Sequence, residues 1–145
     1  MKSLVVYDSY FGNTEKVAET IAKELGEDSK VIRISDLEKK DLKGIDLLVL
    51  GSPIRGWQPS ENTKAFLDSL DSKDLEGVKA TAFDTRVKLF IHGDAMNKMA
   101  KKLKSVGAEI AVAPQAFYVS GQEGPLLDGE LEKAAEWAKS IISKL

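Results

Sequence analysis

Short, nearly continuous apolar runs alternate along this chain with longer segments in which apolar residues recur at helical spacing. This alternation constrains the fold more than any other feature. The runs cover residues 4–7, 31–34, 45–50 and 79–83, and a fifth covers 110–112 and resumes at 117–119 after the interruption at Pro114. Runs of this length and composition predict parallel strands that are covered on both faces.

The intervening segments predict helices over residues 14–25, 60–70 and 94–106, and from about residue 128 onward. Gly26 and Gly107 follow two of these segments as expected C-caps, and Asp94 is the expected N-cap of the third helix. Five strands alternating with helices predict one α/β domain over residues 1–145, a three-layer, doubly wound, five-stranded parallel sheet. Ligands of such sheets bind beyond the carboxyl ends of the strands.

Composition excludes several classes of function. The 145 residues include 21 basic and 23 acidic ones, so the net charge of −2 favours neither nucleic acid nor a membrane surface as partner. Without cysteine there are no disulfides, thiolate metal sites or cysteine nucleophiles, and a single histidine, His92, excludes a multi-histidine metal site. A hydrolytic triad of His92, Asp84 and Ser9 or Ser52 lacks the required Gly-x-Ser-x-Gly elbow. We therefore expect no metal and no catalytic side chain.

The amino-terminal apolar run ends at Asp8, which is too early for the core of a signal peptide. No run approaches the 18 apolar residues of a membrane span. We expect a cytoplasmic monomer.

The segment between the first strand and the first helix, Asp8-Ser9-Tyr10-Phe11-Gly12-Asn13-Thr14, has the composition of an anion-binding loop. Backbone N–H groups at a helix N-terminus attract an anion, and Ser9, Asn13 and Thr14 add side-chain donors. The loop has no lysine or arginine, which favours a phosphate monoester and argues against a Walker-type nucleotide loop. The alternative is that Asn13 or Thr14 is only an N-cap and Gly12 a turn residue.

The segment after the third strand, Gly51-Ser52-Pro53-Ile54-Arg55-Gly56-Trp57-Gln58-Pro59, is rich in glycine and proline and carries a tryptophan. A flat aromatic ligand gains about 0.5–1.5 kcal/mol from stacking on such a side chain, beyond its area burial. The alternative is that Trp57 packs under the following helix and Gly56 only makes a turn.

These segments carry a family resemblance. Residues 9–14 resemble the flavodoxin phosphate loop, hydroxyl-x-Thr-Gly-x-Thr, and residues 51–59 resemble the flavodoxin loop that lies against the isoalloxazine ring. The stretch from 82–86 through 117–119, 123–126 and 129–132 to Trp137 is similar to short flavodoxin-like proteins of bacteria and archaea. The resemblance implies the strand order 2-1-3-4-5, a bound FMN, and electron transfer between redox partner proteins.

The resemblance also implies the roles of the candidate residues. The phosphate would be held by Ser9, Tyr10, Phe11, Gly12, Asn13 and Thr14; the ring would be bordered by Ser52, Pro53, Ile54, Arg55, Gly56 and Trp57; and its pyrimidine edge would meet Asp84, Thr85 and Arg86. Gly56 would lie near flavin N5, where its freedom to adopt positive φ permits a peptide flip on reduction. A cation at Arg55 or Arg86 would raise the flavin potential, unless these arginines are solvated surface residues.

Two positions depart from the family pattern. Phe11 replaces a threonine that supplies a phosphate-binding hydroxyl, so the loop has one donor fewer. Many short flavodoxins cover the outer flavin face with a tyrosine after the fourth strand. Here Phe90 is the only aromatic residue between Asp84 and Gly93, so Tyr118 or the loop 121–124 would have to provide that cover.

Other functions stay open on the same fold. A small FMN-dependent quinone or protoporphyrinogen reductase needs room for a second substrate, and this chain has no long insertion to provide it. Because of Phe11, a flavin-free binding module of the same topology also stays open. A receiver domain is excluded, because this chain lacks the acidic pair after strand one, the aspartate at the end of strand three and the lysine after strand five that such a domain needs. The third predicted helix carries four lysines that form either a solvated face or a docking patch for an acidic partner: Lys98, Lys101, Lys102 and Lys104.

Overall fold

The computed structural model describes residues 1–88 and 93–145, so Phe90 and His92 lie outside the described residues. The strands are β1 (Ser3–Tyr7), β2 (Ser29–Arg33), β3 (Leu47–Arg55), β4 (Gln58–Pro59), β5 (Lys79–Val87), β6 (Glu109–Ile110) and β7 (Gln115–Val119). The helices are α1 (Asn13–Leu25), α2 (Glu61–Asp68), α3 (Met96–Ser105) and α4 (Glu130–Ser143). Two short 3-10 helices cover Ile34–Asp36 and Lys39–Leu42.

The strands form a sheet of order β2-β1-β3-β5-β6, with β7 also paired to β5 and β4 paired to β3. Strand β6 pairs with the start of β5 and β7 pairs with its end, both in parallel, so β6 and β7 are the two halves of the interrupted fifth strand. We count β6 and β7 as one strand and set the antiparallel β4 aside. When the five parallel strands are renumbered along the chain, their order is 2-1-3-4-5. The predicted fold class is confirmed.

Alternate side chains of the central strands enter two different cores, because successive residues of a strand point to opposite faces. On β1, Leu4 and Val6 join the core formed with α2 and α3, whereas Val5 and Tyr7 join the core formed with α1 and α4. Strand β3 divides its leucines and valine between the two cores in the same way. Burial on both faces is the reason that these strands appear as continuous apolar runs.

Several predicted boundaries need correction. Strand β3 runs to Arg55 rather than residue 50, because its end pairs with β4 in a hairpin. Helix α3 starts at Met96 rather than Asp94, although the Asp94 carboxylate still accepts the Asn97 N–H at 3.1 Å. That helix ends one residue earlier than expected, with Val106 as its C-cap. Gly26 is the C-cap of α1, as predicted. Within the described ranges, the helices fall short of the length and apolarity that crossing a membrane requires.

Candidate functional site

A cleft of about 470 Å³ opens at the carboxyl edge of the sheet. The described ends of β3, β5 and β7 and the β1–α1 loop contribute to its walls, which is where a doubly wound sheet places its ligand. Twelve of the candidate residues line it: Ser9, Tyr10, Phe11, Asn13, Thr14, Pro53, Ile54, Arg55, Gly56, Trp57, Thr85 and Arg86. Gly12, Ser52 and Asp84 are not part of the lining.

Helix α1 begins at the floor of this cleft with Gly12 as its N-cap at φ 88°. Gly12 has no side chain to cap the first turn, and its own N–H donates to the Ser9 hydroxyl at 3.0 Å. The first N–H groups of a helix have no partner within the helix and carry its positive partial charge. Because Gly12 is the N-cap, the alternative that Asn13 or Thr14 takes that position is wrong. Since Gly12 offers no side chain to accept from those N–H groups, the amino end of α1 is available to an anion.

The side chains of the loop are fixed by contacts with neighbouring elements. The Thr14 hydroxyl lies 2.8 Å from the hydroxyl of Thr85, which joins the start of α1 to the end of β5. The Asn13 amide donates to the Glu123 carbonyl at 3.2 Å and so holds the loop after β7 against the cleft. Ser9, Asn13 and Thr14 are all buried, and all three are among the residues that line the cleft. These contacts hold the side chains of Asn13 and Thr14 in place.

The turn between β3 and β4 presents an aromatic side chain at the opposite wall. Its central residues, Gly56 and Trp57, both have positive φ, 57° and 69°, as in the tight turns that connect antiparallel strands. Trp57 is 58% exposed, so the alternative that it packs under the next helix is wrong. Its carbonyl accepts the Asp94 N–H at 3.2 Å and the Lys98 ammonium at 3.3 Å. These bonds stabilise a backbone conformation that a bulky residue rarely adopts.

Two further aromatic residues, Tyr10 and Phe11, are each 47% exposed at the cleft. The Arg55 guanidinium lies 4.5 Å from the centre of the Tyr10 ring and so bridges the β1–α1 loop and the β3–β4 turn. Arg55 is exposed, which agrees with the alternative that it is a solvated surface residue, but it also lines the cleft. Phe11 is a half-exposed lining residue of the cleft, which still has a volume of about 470 Å³.

Asp84 lies under the cleft rather than on its wall. Its carboxylate is fully buried, accepts from Arg86 Nε at 2.8 Å, and also accepts the N–H groups of Ala95 and Met96 at 3.2 and 2.9 Å. It therefore satisfies the amino end of α3, and its predicted contact with a pyrimidine edge has no support in this geometry.

Arg86 is 6% exposed, so the alternative of a solvated surface arginine is wrong for this residue. Burial acts to lower the pKa of the guanidinium, but the hydrogen bond to Asp84 and the charges of Asp84 and Asp94 outweigh it, so the pKa is raised. Arg86 keeps its charge, and Asp84 compensates much of that charge at the cleft wall.

Ser52 is also buried beneath the cleft. Its hydroxyl donates to the Pro53 carbonyl at 2.8 Å and accepts the Ser60 N–H at 3.0 Å, and the Ser60 hydroxyl in turn donates to the buried Asp8 carboxylate. This chain of hydrogen bonds fixes the path of the backbone from β3 to α2. Ser52 therefore positions the turn rather than lining the cleft.

Comparisons with known proteins agree with this arrangement. A family model described as "Flavodoxin domain" matches residues 4–115. A flavodoxin of Maridesulfovibrio salexigens is 30% identical over 156 aligned positions, which cover 99% of each chain. The chain belongs to the flavodoxin family. The structure of oxidised Flavodoxin 1 from Bacillus cereus superposes with a TM-score of 0.86 at 26% identity and covers 100% of this chain and 99% of its own. A flavodoxin of Synechocystis is 31% identical over 121 positions, 77% of this chain and 70% of its own.

The predicted resemblance is confirmed by these relatives, and electron transfer through a bound flavin is the function that they support. The reductase and the flavin-free binding module are not favoured. No group of three or more acidic or histidine residues in the described part of this flavodoxin is arranged to hold a metal ion.

Three lining residues were not predicted as part of the site, Val87, Gly93 and Val119, and a fourth, Gln122, was predicted only as part of a covering loop. Val87 and Val119 are paired at the ends of β5 and β7, so the sheet register would have indicated them had the strand ends been known. Gln122 belongs to the loop 121–124, one of the two candidates to cover the flavin. Tyr118, the other, is not part of the lining and lies under the Lys133 ammonium, 4.7 Å from its ring centre.

Proposed function

We propose that residues 1–145 form one domain that binds FMN in the cleft and carries electrons between redox partner proteins. The observation that carries this proposal is the open amino end of α1, which lies in the same cleft as the exposed aromatic side chain of Trp57. A volume of about 470 Å³ suits a cofactor of this size, since small-molecule sites range over about 300–1,000 Å³.

The phosphate of FMN would bind at the start of α1. Backbone N–H groups there and the side chains of Ser9, Asn13 and Thr14 offer neutral donors to a dianion, as phosphate sites at helix N-termini do. The half-exposed Phe11 adds only its backbone and ring, so one hydroxyl of the family pattern is missing.

The isoalloxazine would lie along the β3–β4 turn, with the backbone of Thr85 and Arg86 at its pyrimidine edge. FMN itself would supply the one- and two-electron redox chemistry, and the protein supplies binding, orientation and electrostatics. Arg55, exposed at the edge of the cleft, favours the anionic reduced form and so raises the potential, to an extent limited by solvent screening. Trp57, Tyr10 and Phe11 form an apolar rim that a redox partner can approach.

The decisive experiment is a titration of the apoprotein with FMN, followed by absorbance and by quenching of flavin fluorescence. We expect one FMN bound per chain. Replacing both Asn13 and Thr14 by glutamate should abolish uptake, with the fold checked by circular dichroism. Asn13→Asp, which adds a negative charge with little change in volume, should weaken FMN far more than riboflavin. Asn97→Asp, in the exposed first turn of α3, is the matched control. Unchanged FMN affinity in the Asn13 and Thr14 variants would refute the site.

The flip of the Gly56 peptide has its own test. A Cβ at Gly56 meets no neighbouring atom but is strained at φ 57°, so Gly56→Val restricts the conformations open to the turn. We expect the one-electron midpoint potentials of bound FMN to shift in a redox titration. The control is Gly44→Val, at another open, positive-φ glycine at the far end of β3. Equal potentials in the Gly56 variant and the wild type would contradict the flip.

A further inference from the structure

Arg33, at the end of β2, contacts the candidate phosphate loop from outside the cleft. It is paired in register with Tyr7 of β1, and its guanidinium lies 5.1 Å from the centre of the Tyr7 ring. Arg33 Nη1 donates to the carbonyl of Ser9 at 2.9 Å, and Nη2 lies 3.6 Å from the Glu15 carboxylate. The sequence analysis did not single out this residue.

The bond to Ser9 determines which groups the loop presents to an anion. A carbonyl oxygen turned into a phosphate site would repel a dianion, whereas the amides and hydroxyls of the loop attract it. Because Arg33 lies on the β2 side, it holds the Ser9 carbonyl there. The Ser9 hydroxyl instead accepts the Gly12 N–H at the amino end of α1, and Ser9, Asn13 and Thr14 are among the residues that line the cleft.

Arg33 also compensates the one acidic residue in the first turn of α1, Glu15. The Tyr7 hydroxyl donates to the same carboxylate at 2.7 Å. Burial, followed by the bond to Glu15, raises the pKa of Tyr7 to about 12, so the phenol is protonated and can donate at neutral pH. Tyr7, Glu15 and Arg33 thus form one network behind the loop.

We propose that Arg33 is a positioning residue that fixes the Ser9 carbonyl away from the phosphate site and thereby favours flavin with a phosphate over flavin without one. This inference rests on the proposed FMN site. The fork geometry of the guanidinium is essential to it, because one side chain must donate to the Ser9 carbonyl and form an ion pair with Glu15 while lying over Tyr7. A lysine ammonium at this position keeps the charge but not that geometry.

The test compares dissociation constants of the apoprotein for FMN and for riboflavin in the wild type, Arg33→Met, Arg33→Lys and Lys30→Met. Lys30→Met removes one positive charge from an exposed position on the same strand and serves as the control. We expect both Arg33 variants to bind FMN roughly tenfold more weakly, as loss of a charge-assisted hydrogen bond implies, and to bind riboflavin within about twofold of the wild type. Lys30→Met should bind both ligands normally.

Three results would overturn the inference while the proposed function stands. Wild-type FMN affinity in Arg33→Lys would assign the effect to charge alone, and equal losses of affinity for FMN and riboflavin would indicate a general disturbance. The third such result is no loss of FMN affinity in either Arg33 variant. Thermal unfolding of each apoprotein shows whether the variants are folded, and Arg33→Lys, the conservative change on an edge strand, remains testable if Arg33→Met is not. A wild-type protein that takes up no FMN would instead refute the proposed function, and this inference with it.

Discussion

The buried carboxylate of Asp84 supports a sharp prediction about stability. Replacing it by alanine removes the close ion pair of the Arg86 guanidinium, which is 6% exposed, whereas the longer pair with Asp94, at 3.5 Å, is kept. The same change takes the acceptor away from the N–H groups of Ala95 and Met96 at the start of α3. Because Asp84 is fully buried and Arg86 nearly so, bulk solvent screens this pair far less than it screens a surface pair.

The expected loss is about 3 kcal/mol of the free energy of unfolding, the lower end of the 3–5 kcal/mol typical for breaking a buried ion pair. The lower end applies because Asp94 still faces Arg86. Domains of this size have a total stability of about 5–15 kcal/mol, so the variant should fold but be clearly weakened. Its melting temperature should fall by about 10 °C, at roughly 2–4 °C per kcal/mol.

Urea denaturation of the apoprotein, followed by circular dichroism, measures this loss. Asp28→Ala is the control, because Asp28 is 79% exposed and its contact with the amino terminus, at 4.0 Å, is of the kind that contributes less than about 1 kcal/mol. In a double-mutant cycle, Arg86→Met should recover part of the loss caused by Asp84→Ala. A loss below about 1 kcal/mol for Asp84→Ala, or strict additivity in the cycle, would refute the buried pair.

Two further predictions concern the core and the network around Tyr7. A Cβ at Gly51 would overlap the fully buried ring of Phe83, so Gly51→Ala should destabilise the apoprotein by about 1–3 kcal/mol in urea, and an unchanged midpoint would contradict the packing. The folded-state pKa of Tyr7, about 12 against the ordinary 10, means that folding favours the protonated phenol. That stability is complete below pH 10 and is lost as the pH rises from 10 to 12. Tyr7→Phe should lose less stability than the wild type between pH 9 and 12, and parallel pH profiles would count against the bond to Glu15.

The sequence predicted the sheet well because the relevant signals are local. Apolar runs covered on both faces identified the strands, and Pro114 marked the interruption between β6 and β7. Strand ends were less predictable, since the extension of β3 to Arg55 depends on pairing with residues that follow the turn. Helix starts were predicted to within about two residues, but their caps were less predictable, since Gly12 rather than Asn13 or Thr14 is the N-cap of α1.

The sequence predicts a site residue well when its position along the backbone determines whether it reaches the cleft. It predicts poorly when contacts with distant side chains determine the residue's role. Residues directly after β1 and at the end of β3 reach the cleft because the sheet brings those ends together. Asp84 is fully buried because α3 returns to place Ala95 and Met96 over it, a contact across more than ten residues that no local pattern contains. Arg33, from β2, reaches the Ser9 carbonyl only because β1 and β2 pair with Tyr7 opposite it.

The amino ends of the helices identify the binding site more sharply than the cleft does. Helix α2 begins under the Ser60 hydroxyl, which accepts the Thr63 N–H, and α3 begins under the carboxylates of Asp84 and Asp94. Helix α4 starts after a glycine, Gly129, but its first residues do not line the cleft. Among these four helices, only α1 has both an N-cap without a side chain, Gly12, and first-turn residues that line the cleft. Among the four described α-helices, the amino end of α1 is therefore the one that best fits the proposed phosphate site, and residues of the β3–β4 turn line the same cleft.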